Sequence, residues 1–284
     1  MLHAVILLDK PKGITSQEAV TLVRKTFGLL KAGHTGTLDP IATGLLIICT
    51  DEATKIARFL SDLPKEYLAT LKLGERTDTF DAEGKVIETA RPEIEEDHLR
   101  EILKKFTGRI KQVPPMYSAL KHEGKPLYKL ARKGIVVERE EREVEVYSLV
   151  LLDLSPPYAK LLINCEKGTY IRTLADDIGR EAGTFAHLAE LRRTKIGDFK
   201  VEDSATLDEL PNKPGAVLSI DRALSFMREV VLDPVSSQKA KNGAPIKIAE
   251  PVTGYVRMKD ENGNLFAIGN AFKGIVKVER GLRL

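Results

Sequence analysis

The 284-residue sequence contains no Trp and two Cys, and its apolar runs are short, such as the run Leu45–Cys49. A membrane-spanning helix needs about 20 consecutive apolar residues, so no such helix is predicted. The N-terminus lacks the basic segment and the small-residue cleavage site of a secretory signal. Cys49 and Cys165 lie in apolar, strand-like segments without metal-site spacing, so we expect reduced core thiols in a cytoplasmic protein.

Several motifs of cofactor and metal enzymes are also absent. The sequence contains no P-loop lysine motif, no GxGxxG, no HExxH and no GxSxG. Its five His residues are not accompanied by clustered carboxylates. We therefore expect no metal and no cofactor, and chemistry that depends on carboxylate, phenol and guanidinium groups.

Apolar residues make up 43% of the chain and charged residues 30%, which is typical of a globular protein. The predicted helices and strands do not alternate strictly, so we expect an α+β fold with a mixed, largely antiparallel sheet flanked by helices. Strands are predicted at 66–73, 136–154 and 158–165, and helices at 170–180 and 185–193.

The character of the chain changes near residue 214. From residue 230 onward, short strand-like segments alternate with turn signals such as Asn242-Gly243 and Asn262-Gly263, as in a small all-β module. The sequence therefore predicts a large domain over residues 1–228 and a small one over 229–284. The small domain contains nine basic and six acidic residues, which accounts for the whole net charge of +3.

Charge is segregated within the large domain. Residues 109–133 contain seven basic residues and one acidic residue, Glu123, and the segment 138–145 that follows is rich in Glu. This basic stripe suits a polyanion such as RNA. A solvated lysine surface accounts for the same pattern equally well.

Asp39 is the first candidate for chemistry. It lies in a glycine-containing loop, between Gly33-His34-Thr35-Gly36 and Pro40. The glycines permit unusual backbone angles, and Pro40 disfavours a helical conformation at Asp39. The loop therefore presents a carboxylate just before a buried strand. Alternatively, Asp39-Pro40 simply begins a turn.

Arg172 is the second candidate. We expect it in the first turn of a helix capped by Thr169, where a cation opposes the helix dipole. A carboxylate such as Asp39 would offset this effect, and the pair would lower the pKa of the aspartate and keep it ionised. The alternative is an arginine that reaches solvent.

Two further residues bear on the site. Tyr67 lies on the apolar face of an alternating strand, where it serves either as a core residue or as a ring that stacks on a base. His34 lies between two loop glycines, and such a histidine is usually neither a ligand nor a catalyst.

A series of motifs in a fixed order resembles a known family. The motifs are DKPKGITS (9–16), GHTGTLDPIATG (33–44), PPMYSALK (114–121), GKPLYKLARKG (124–134), CEKGTYIRTLADDIG (165–179) and LRRTKIG (191–197). Together they resemble the TruB family of tRNA pseudouridine synthases, which modify uridine 55 in the T loop. The resemblance covers roughly residues 5–200. The C-terminal segment is more weakly similar to the PUA-like RNA-binding domain of these enzymes.

The resemblance implies a pseudouridine synthase fold over 1–228 and roles for particular residues. It implies that Asp39 is the catalytic aspartate, that Tyr67 stacks on the target base and that Arg172 pairs with the aspartate. The other positions implied are Tyr170 beside the arginine, Leu191 in the uracil pocket, His34 in the vacated space of the T loop, and Lys10 and Pro11 behind the catalytic loop. Residues 121–146 correspond to a mobile thumb that clamps RNA, with Lys121, Lys125, Lys129, Arg132 and Lys133 as its basic residues.

The resemblance thus predicts a cytoplasmic, monomeric enzyme that isomerises uridine 55 of tRNA without a cofactor, a membrane or an obligatory protein partner. Two other functions use some of the same features. A non-catalytic RNA chaperone would use the basic stripe and the C-terminal module without an ionised Asp39. An aspartate-dependent hydrolase of small phosphates would use Asp39, but the sequence lacks the carboxylate cluster that would hold its metal.

Overall fold

A computed structural model describes residues 2–118, 120–131, 133–249 and 251–284, and of Lys121 only the backbone. In these residues the α-helices are α1 (Ser16–Thr26), α2 (Ala57–Ser61), α3 (Glu96–Lys105), α4 (Leu127–Ala131), α5 (Ile171–Glu181), α6 (Ile220–Ala223) and α7 (Pro234–Lys241). The strands are β1 (Ala4–Lys10), β2 (Ala32–His34), β3 (Thr43–Thr50), β4 (Lys65–Leu73), β5 (Glu75–Thr77), β6 (Val86–Thr89), β7 (Gly108–Gln112), β8 (Lys121–His122), β9 (Lys125–Pro126), β10 (Arg142–Ser155), β11 (Tyr158–Cys165), β12 (Ala186–Ile196), β13 (Phe199–Lys200), β14 (Val217–Ser219), β15 (Arg228–Val231), β16 (Ile246–Lys247), β17 (Gly254–Lys259), β18 (Leu265–Phe272) and β19 (Ile275–Gly281). None of the helices in these ranges is long and apolar enough to cross a membrane.

A large sheet organises most of the chain. Its strands follow the order β14-β1-β3-β12-β4-β11-β10-β7, and β2 and β13 pair with β3 and β12 at the side. All of these pairs are antiparallel except that between β12 and β3. This mixed, largely antiparallel sheet with flanking helices confirms the predicted α+β class.

The two neighbouring strands β1 and β3, toward the β14 edge of the sheet, are nearly continuously apolar. Alternate side chains of a strand point to opposite faces, so a strand buried on both faces is apolar throughout. Ile6 and Ile48 pack into one hydrophobic core, whereas Val5 and Ile47 pack into a second core on the other face. The sheet is therefore covered on both sides in this region. The two cysteines are buried and free, as predicted.

The predicted helix at 185–193 is wrong, because this segment forms β12. Ala, Leu, Glu and Arg favour helices, and they dominate the segment. Tertiary context overrides that preference, since β12 is enclosed between β3 and β4 and pairs with β4 along most of its length. The correction matters for function, because a strand places Leu191 and Arg193 on one face.

The strand predicted at 136–154 begins later, at Arg142. The part of the thumb before it contains the hairpin β8–β9 and the short helix α4. Residues 142–146, which the family resemblance assigned to the thumb, pair with β7 in the large sheet. This end of the segment is therefore anchored to the framework of the domain.

The C-terminal segment forms a second sheet in the order β15-β17-β18-β19-β16. This β domain confirms the prediction, although it also contains α7, which the turn pattern did not predict. Asp233 caps α7 by accepting a hydrogen bond from the Ser236 backbone N–H. Leu265 and Ile268 of this sheet pack into the same core as β1 and β3, so the two sheets share apolar contacts.

Candidate active site

A cleft of about 1290 Å³ opens on one face of the large sheet. The loop that carries Asp39, the strands β4 and β12, the start of α5 and the loop after β5 all contribute to its lining. Acidic and basic side chains line it in equal number among the described residues. The cleft is therefore large enough for a nucleotide, but it is not uniformly positive.

The start of α1 holds the loop just before Asp39. Thr15 caps this helix in the capping-box arrangement that the sequence predicts. The next residue, Ser16, donates a hydrogen bond from Oγ to the Leu38 carbonyl and accepts one from the Leu38 N–H, at 2.9 and 2.8 Å. The backbone N–H and carbonyl of Leu38, the residue before Asp39, are thereby both fixed.

Lys10 lies close to the Asp39 carboxylate at the end of β1, whereas Pro11 next to it is exposed. Lys10 is fully buried, and its Nζ donates to the carbonyl oxygens of Pro11 and Ile14, both at 2.8 Å. Burial lowers the pKa of Lys10 to about 8, and the nearby Asp39 carboxylate opposes this shift. The turn that follows is tied to the loop by a hydrogen bond from the Gly13 N–H to the Pro40 carbonyl, at 2.8 Å.

Arg172 joins two carboxylates at the base of the cleft. Its Nε lies 2.9 Å from Oδ2 of Asp39, and its Nη1 lies 3.3 Å from Oδ2 of Asp81. The Arg172 side chain is 6% exposed and that of Asp81 5%, whereas the Asp39 side chain is 35% exposed. The cluster therefore has one partly exposed carboxylate, Asp39, and one buried carboxylate, Asp81.

Backbone contacts hold Arg172 from the other side. Its Nη2 donates to the Tyr117 carbonyl at 2.8 Å. The predicted cap Thr169 is wrong, because Tyr170 occupies the N-cap position of α5 without a side-chain capping bond. Instead, the Gln112 side chain accepts from the Tyr170 N–H and donates to the Tyr170 carbonyl. Gln112 thereby fixes the start of the helix that carries Arg172.

The predicted direction of the Asp39 pKa shift is also wrong. Burial at the base of the cleft raises the pKa of the carboxyl group above its ordinary value. The Arg172 guanidinium and the Lys10 ammonium act in the opposite direction, and the Asp81 carboxylate adds to the increase. Desolvation thus outweighs the salt bridge in setting the direction of the shift.

Tyr67 and Leu191 form an apolar wall of the cleft. Each is 8% exposed and lines the cavity. Leu191 pairs with Ala69 on the neighbouring strand, so it lies on the same face of the sheet as Tyr67. Burial raises the pKa of the Tyr67 phenol, which keeps the ring neutral and suitable for stacking. The alternation of β4 predicted this face correctly.

His34 and Tyr170 also line the cleft, and both are half-buried. The His34 Nδ1 is buried and has no hydrogen-bond partner among the described residues. Burial and the Arg193 charge lower the pKa of the imidazole, which is therefore neutral at pH 7. An uncharged ring of this kind is suited to stacking or to hydrogen bonding with a base.

The glycines that shape the loop are not the predicted ones. Neither Gly33 nor Gly36 has a positive φ, whereas Gly44, where β3 begins, has φ of +100°. A Cβ at Gly44 would lie 2.3 Å from the Arg193 carbonyl oxygen. This glycine is therefore required for the close approach of β3 to β12.

The thumb lysines lie away from this cavity. Lys125, Lys129 and Lys133 are exposed and do not line the cleft, whereas Tyr128 of the same segment and Leu120 just before it do. Arg132 and the side chain of Lys121 are outside the described residues. At the base of the stripe, Arg109 and Lys111 lie 3.6 and 3.7 Å from Glu143 and Glu141, so the Glu-rich segment partly neutralises it.

Sequence reasoning missed Asp81, Gln112 and Arg193. Each of the three is at least 97% buried and is held by residues distant in sequence. A local signal exists only for Arg193, which belongs to the LRRTKIG motif. Burial of polar side chains depends on the tertiary fold, so the sequence pattern alone does not reveal the other two.

Two solved structures share this architecture. A chain of a Cbf5–Nop10–Gar1 complex superposes with a TM-score of 0.77 at 28% identity, over 98% of this chain and 84% of that chain. A chain of an H/ACA ribonucleoprotein bound to a substrate RNA containing 2′-deoxyuridine superposes with a TM-score of 0.76 at 26% identity, over 99% and 86% of the two chains. The second of these structures contains a bound substrate RNA.

Sequence comparisons define the family. The model of the TruB family pseudouridylate synthase N-terminal domain matches residues 24–171, and that of the tRNA pseudouridylate synthase B C-terminal domain matches residues 172–233. The tRNA pseudouridine synthase B of Neisseria gonorrhoeae is 44% identical over 99% of this chain and 94% of its own, and that of Dechloromonas aromatica is 45% identical over 95% and 92%. The chain belongs to the TruB family of pseudouridylate synthases and is an enzyme of this class, which confirms the resemblance seen in the sequence.

Proposed function

We propose that this enzyme converts uridine 55 in the T loop of tRNA to pseudouridine, with Asp39 as its catalytic carboxylate. The observation that carries the proposal is the Asp39–Arg172 pair at the base of a nucleotide-sized cleft. The names of the curated relatives support tRNA as the substrate. The motifs around Asp39, Tyr67 and Arg172 support the T-loop uridine as the target.

Isomerisation breaks the bond between C1′ of the ribose and N1 of uracil, turns the base and forms a bond from C1′ to C5. N1 gains a proton and C5 loses one, so no electrons are exchanged and no group is added. An ionised Asp39 can act as a nucleophile or stabilise positive charge that develops on the sugar. Arg172 fixes the carboxylate in place, and Asp81 holds Arg172 from behind.

The uridine must leave its stack before it can reach Asp39. The free energy needed to unstack the base is smaller in a loop that is already partly unstacked than in a duplex. This difference favours a T-loop substrate. Tyr67 would stack on the flipped base, and Leu191 would close the pocket so that detached uracil does not escape. His34 would occupy the space that the base leaves in the RNA.

Phosphate contacts would come from outside the cavity, because the cleft itself is balanced in charge. We assign this role to the exposed Lys125, Lys129 and Lys133 of the thumb, over residues 121–146, together with Lys121 and Arg132. Contacts of this kind position the RNA, whereas the pocket selects the base. The C-terminal domain, residues 229–284, would add RNA contacts through its basic side chains.

We further propose that the enzyme acts as a monomer, without a partner protein or cofactor. The test is to incubate the purified chain alone with unmodified tRNA and to map pseudouridine at single-nucleotide resolution. Conversion confined to position 55 supports the proposal. Binding without conversion would instead favour an RNA chaperone, and conversion at another position would change the assigned substrate.

A further inference from the structure

Arg193 is a buried arginine to which neither the family resemblance nor the proposed mechanism assigns a role. It lies on β12 directly opposite Tyr67 on β4, and its side chain lines the cleft although the residue is only 1% exposed. Residues directly opposite each other on antiparallel strands have Cβ atoms about 5 Å apart. Arg193 is therefore an immediate neighbour of the ring that the proposed mechanism stacks on uracil.

The Arg193 guanidinium forms hydrogen bonds to the chain on both sides of Asp39. Its Nη2 donates to the Gly36 carbonyl at 3.0 Å, before Asp39, and its Nε donates to the Leu45 carbonyl at 2.8 Å, after Asp39. Strand pairing between β12 and β3 covers only two residues here. The two side-chain bonds therefore link the Gly36 side of the loop and the start of β3 to β12, in addition to the pairing of β3 with β1.

The charge of Arg193 is not balanced as that of Arg172 is. Arg172 contacts two carboxylates, whereas no carboxylate among the described residues forms an ion pair with Arg193, and the acceptors of its two directed bonds are carbonyl oxygens. A buried charge without a counter-ion is unfavourable. Neutral donors could satisfy the two carbonyl oxygens at lower cost, which points to a need for this particular side chain.

The planar, forked shape of the guanidinium explains why an arginine is suited to this position. It places donors in fixed directions, so one side chain can reach two carbonyls and a third neighbour at once, whereas a lysine is a single point charge. Here the third neighbour is the Tyr67 phenol, whose pKa burial raises and the Arg193 charge lowers. The Arg193 side chain would thus link the loop that carries Asp39 to Tyr67 in the wall of the pocket.

We propose that Arg193 is a positioning residue that fixes the Asp39 loop relative to Tyr67 during isomerisation. The inference rests on the proposed function, since it refers to the same reaction. It differs from a phosphate contact, which would act on RNA affinity. It also differs from a purely structural residue, which would act only on the folded fraction.

The test compares Arg193→Lys, Arg193→Met and the matched control Arg192→Lys, whose side chain is 39% exposed and pairs with Asp9. Single-turnover isomerisation of unmodified tRNA is measured with saturating enzyme, alongside RNA affinity and folded fraction by circular dichroism. Both Arg193 variants should react at least about 10²-fold more slowly, with RNA affinity within about threefold of wild type. The control should change the rate by less than about threefold.

Hydrogen exchange in the free protein provides a second measurement that does not depend on activity. Amides of residues 36–45 should exchange about tenfold faster or more in Arg193→Lys, whereas those of β11 should not change. A lysine variant with wild-type rate and exchange would overturn the proposal, because the fork would then be unnecessary. Equal losses of rate and affinity, or loss of the fold in both variants, would also overturn it.

The measurement on wild-type enzyme separates this inference from the proposed function. If wild-type enzyme leaves tRNA unmodified, the proposed function fails, and the exchange measurement still decides whether Arg193 restrains the loop. If wild-type enzyme is active and the Arg193 variants match it, only the role of Arg193 fails.

Discussion

The guanidinium Nε of Arg172 lies 2.9 Å from Oδ2 of Asp39, although the two residues come from a loop before β3 and from the helix after β11. The same guanidinium reaches Asp81 at 3.3 Å. An arginine held by a buried carboxylate and by the Tyr117 carbonyl has little freedom to leave Asp39. The orientation of the Asp39 carboxylate, which we propose is catalytic, therefore depends on three distant parts of the chain.

Replacement of Arg172 by Ala should reduce the rate of isomerisation much more than the affinity for tRNA. The variant loses the group that orients Asp39, and loss of one preorganised charged donor typically costs on the order of 10²-fold or more. Single-turnover rates and filter-binding affinities measured on the same preparation test this. Equal losses of rate and affinity would identify Arg172 as a phosphate contact instead.

The pH dependence of kcat/KM should show an acid limb that reports ionisation of Asp39 in the free enzyme. The carboxylate must be ionised to react, so activity falls as the pH falls through its raised pKa. Because the Asp81 charge contributes to that increase, Asp81→Asn should move the limb to lower pH. A limb that moves to higher pH in this variant would contradict the electrostatic assignment.

Reversal of charge on the thumb should weaken RNA binding and its dependence on salt. Each lysine that contacts a phosphate contributes about one unit to the slope of log affinity against log salt. The double variant Lys125→Glu/Lys129→Glu should therefore bind less tightly and show a flatter slope by about two units. Lys104→Glu is a suitable control, because that lysine is 70% exposed on α3 and does not line the cleft. An unchanged slope in the double variant would make the stripe a solvated surface.

Substitution of Gly44 by Ala should destabilise the protein by about 1–3 kcal/mol. The new Cβ would lie 2.3 Å from the Arg193 carbonyl oxygen, and φ of +100° is unfavourable for alanine. Gly33→Ala is the matched control, because no atom of the described residues lies within 4 Å of its added Cβ. Urea denaturation of both variants checks the prediction. Similar stability of the two would show that β3 can move away from β12 without cost.

The sequence predicts those parts of the fold that depend on local pattern. The apolar alternation of β4 and the capping box at Thr15 correspond directly to the structure. The segment 186–196 does not, because its helix-forming residues become a strand only when β3 and β4 flank it. Its parallel pairing with β3 brings together residues that are far apart in the chain. The periodicity of a short segment does not encode such a contact.

In the candidate site too, local sequence patterns were informative, whereas tertiary contacts could not be predicted. The family resemblance implied that Asp39, Tyr67, Arg172 and Leu191 share one site, and in the structure all four line the same cleft. The buried Asp81 is set by chain topology, so its pairing with Arg172 could not be predicted from neighbouring residues. The direction of the Asp39 pKa shift was also beyond the sequence, because desolvation depends on how deep the loop lies in the cleft.

The most direct test of the central claim is to map pseudouridine in unmodified tRNA after incubation with wild-type enzyme and with Asp39→Asn. Loss of a catalytic nucleophile typically lowers the rate by at least about 10³-fold, whereas the amide keeps the size of the side chain and should leave tRNA affinity nearly unchanged. We predict pseudouridine at position 55 with wild-type enzyme and none with the variant. Appreciable turnover by folded Asp39→Asn would contradict the account.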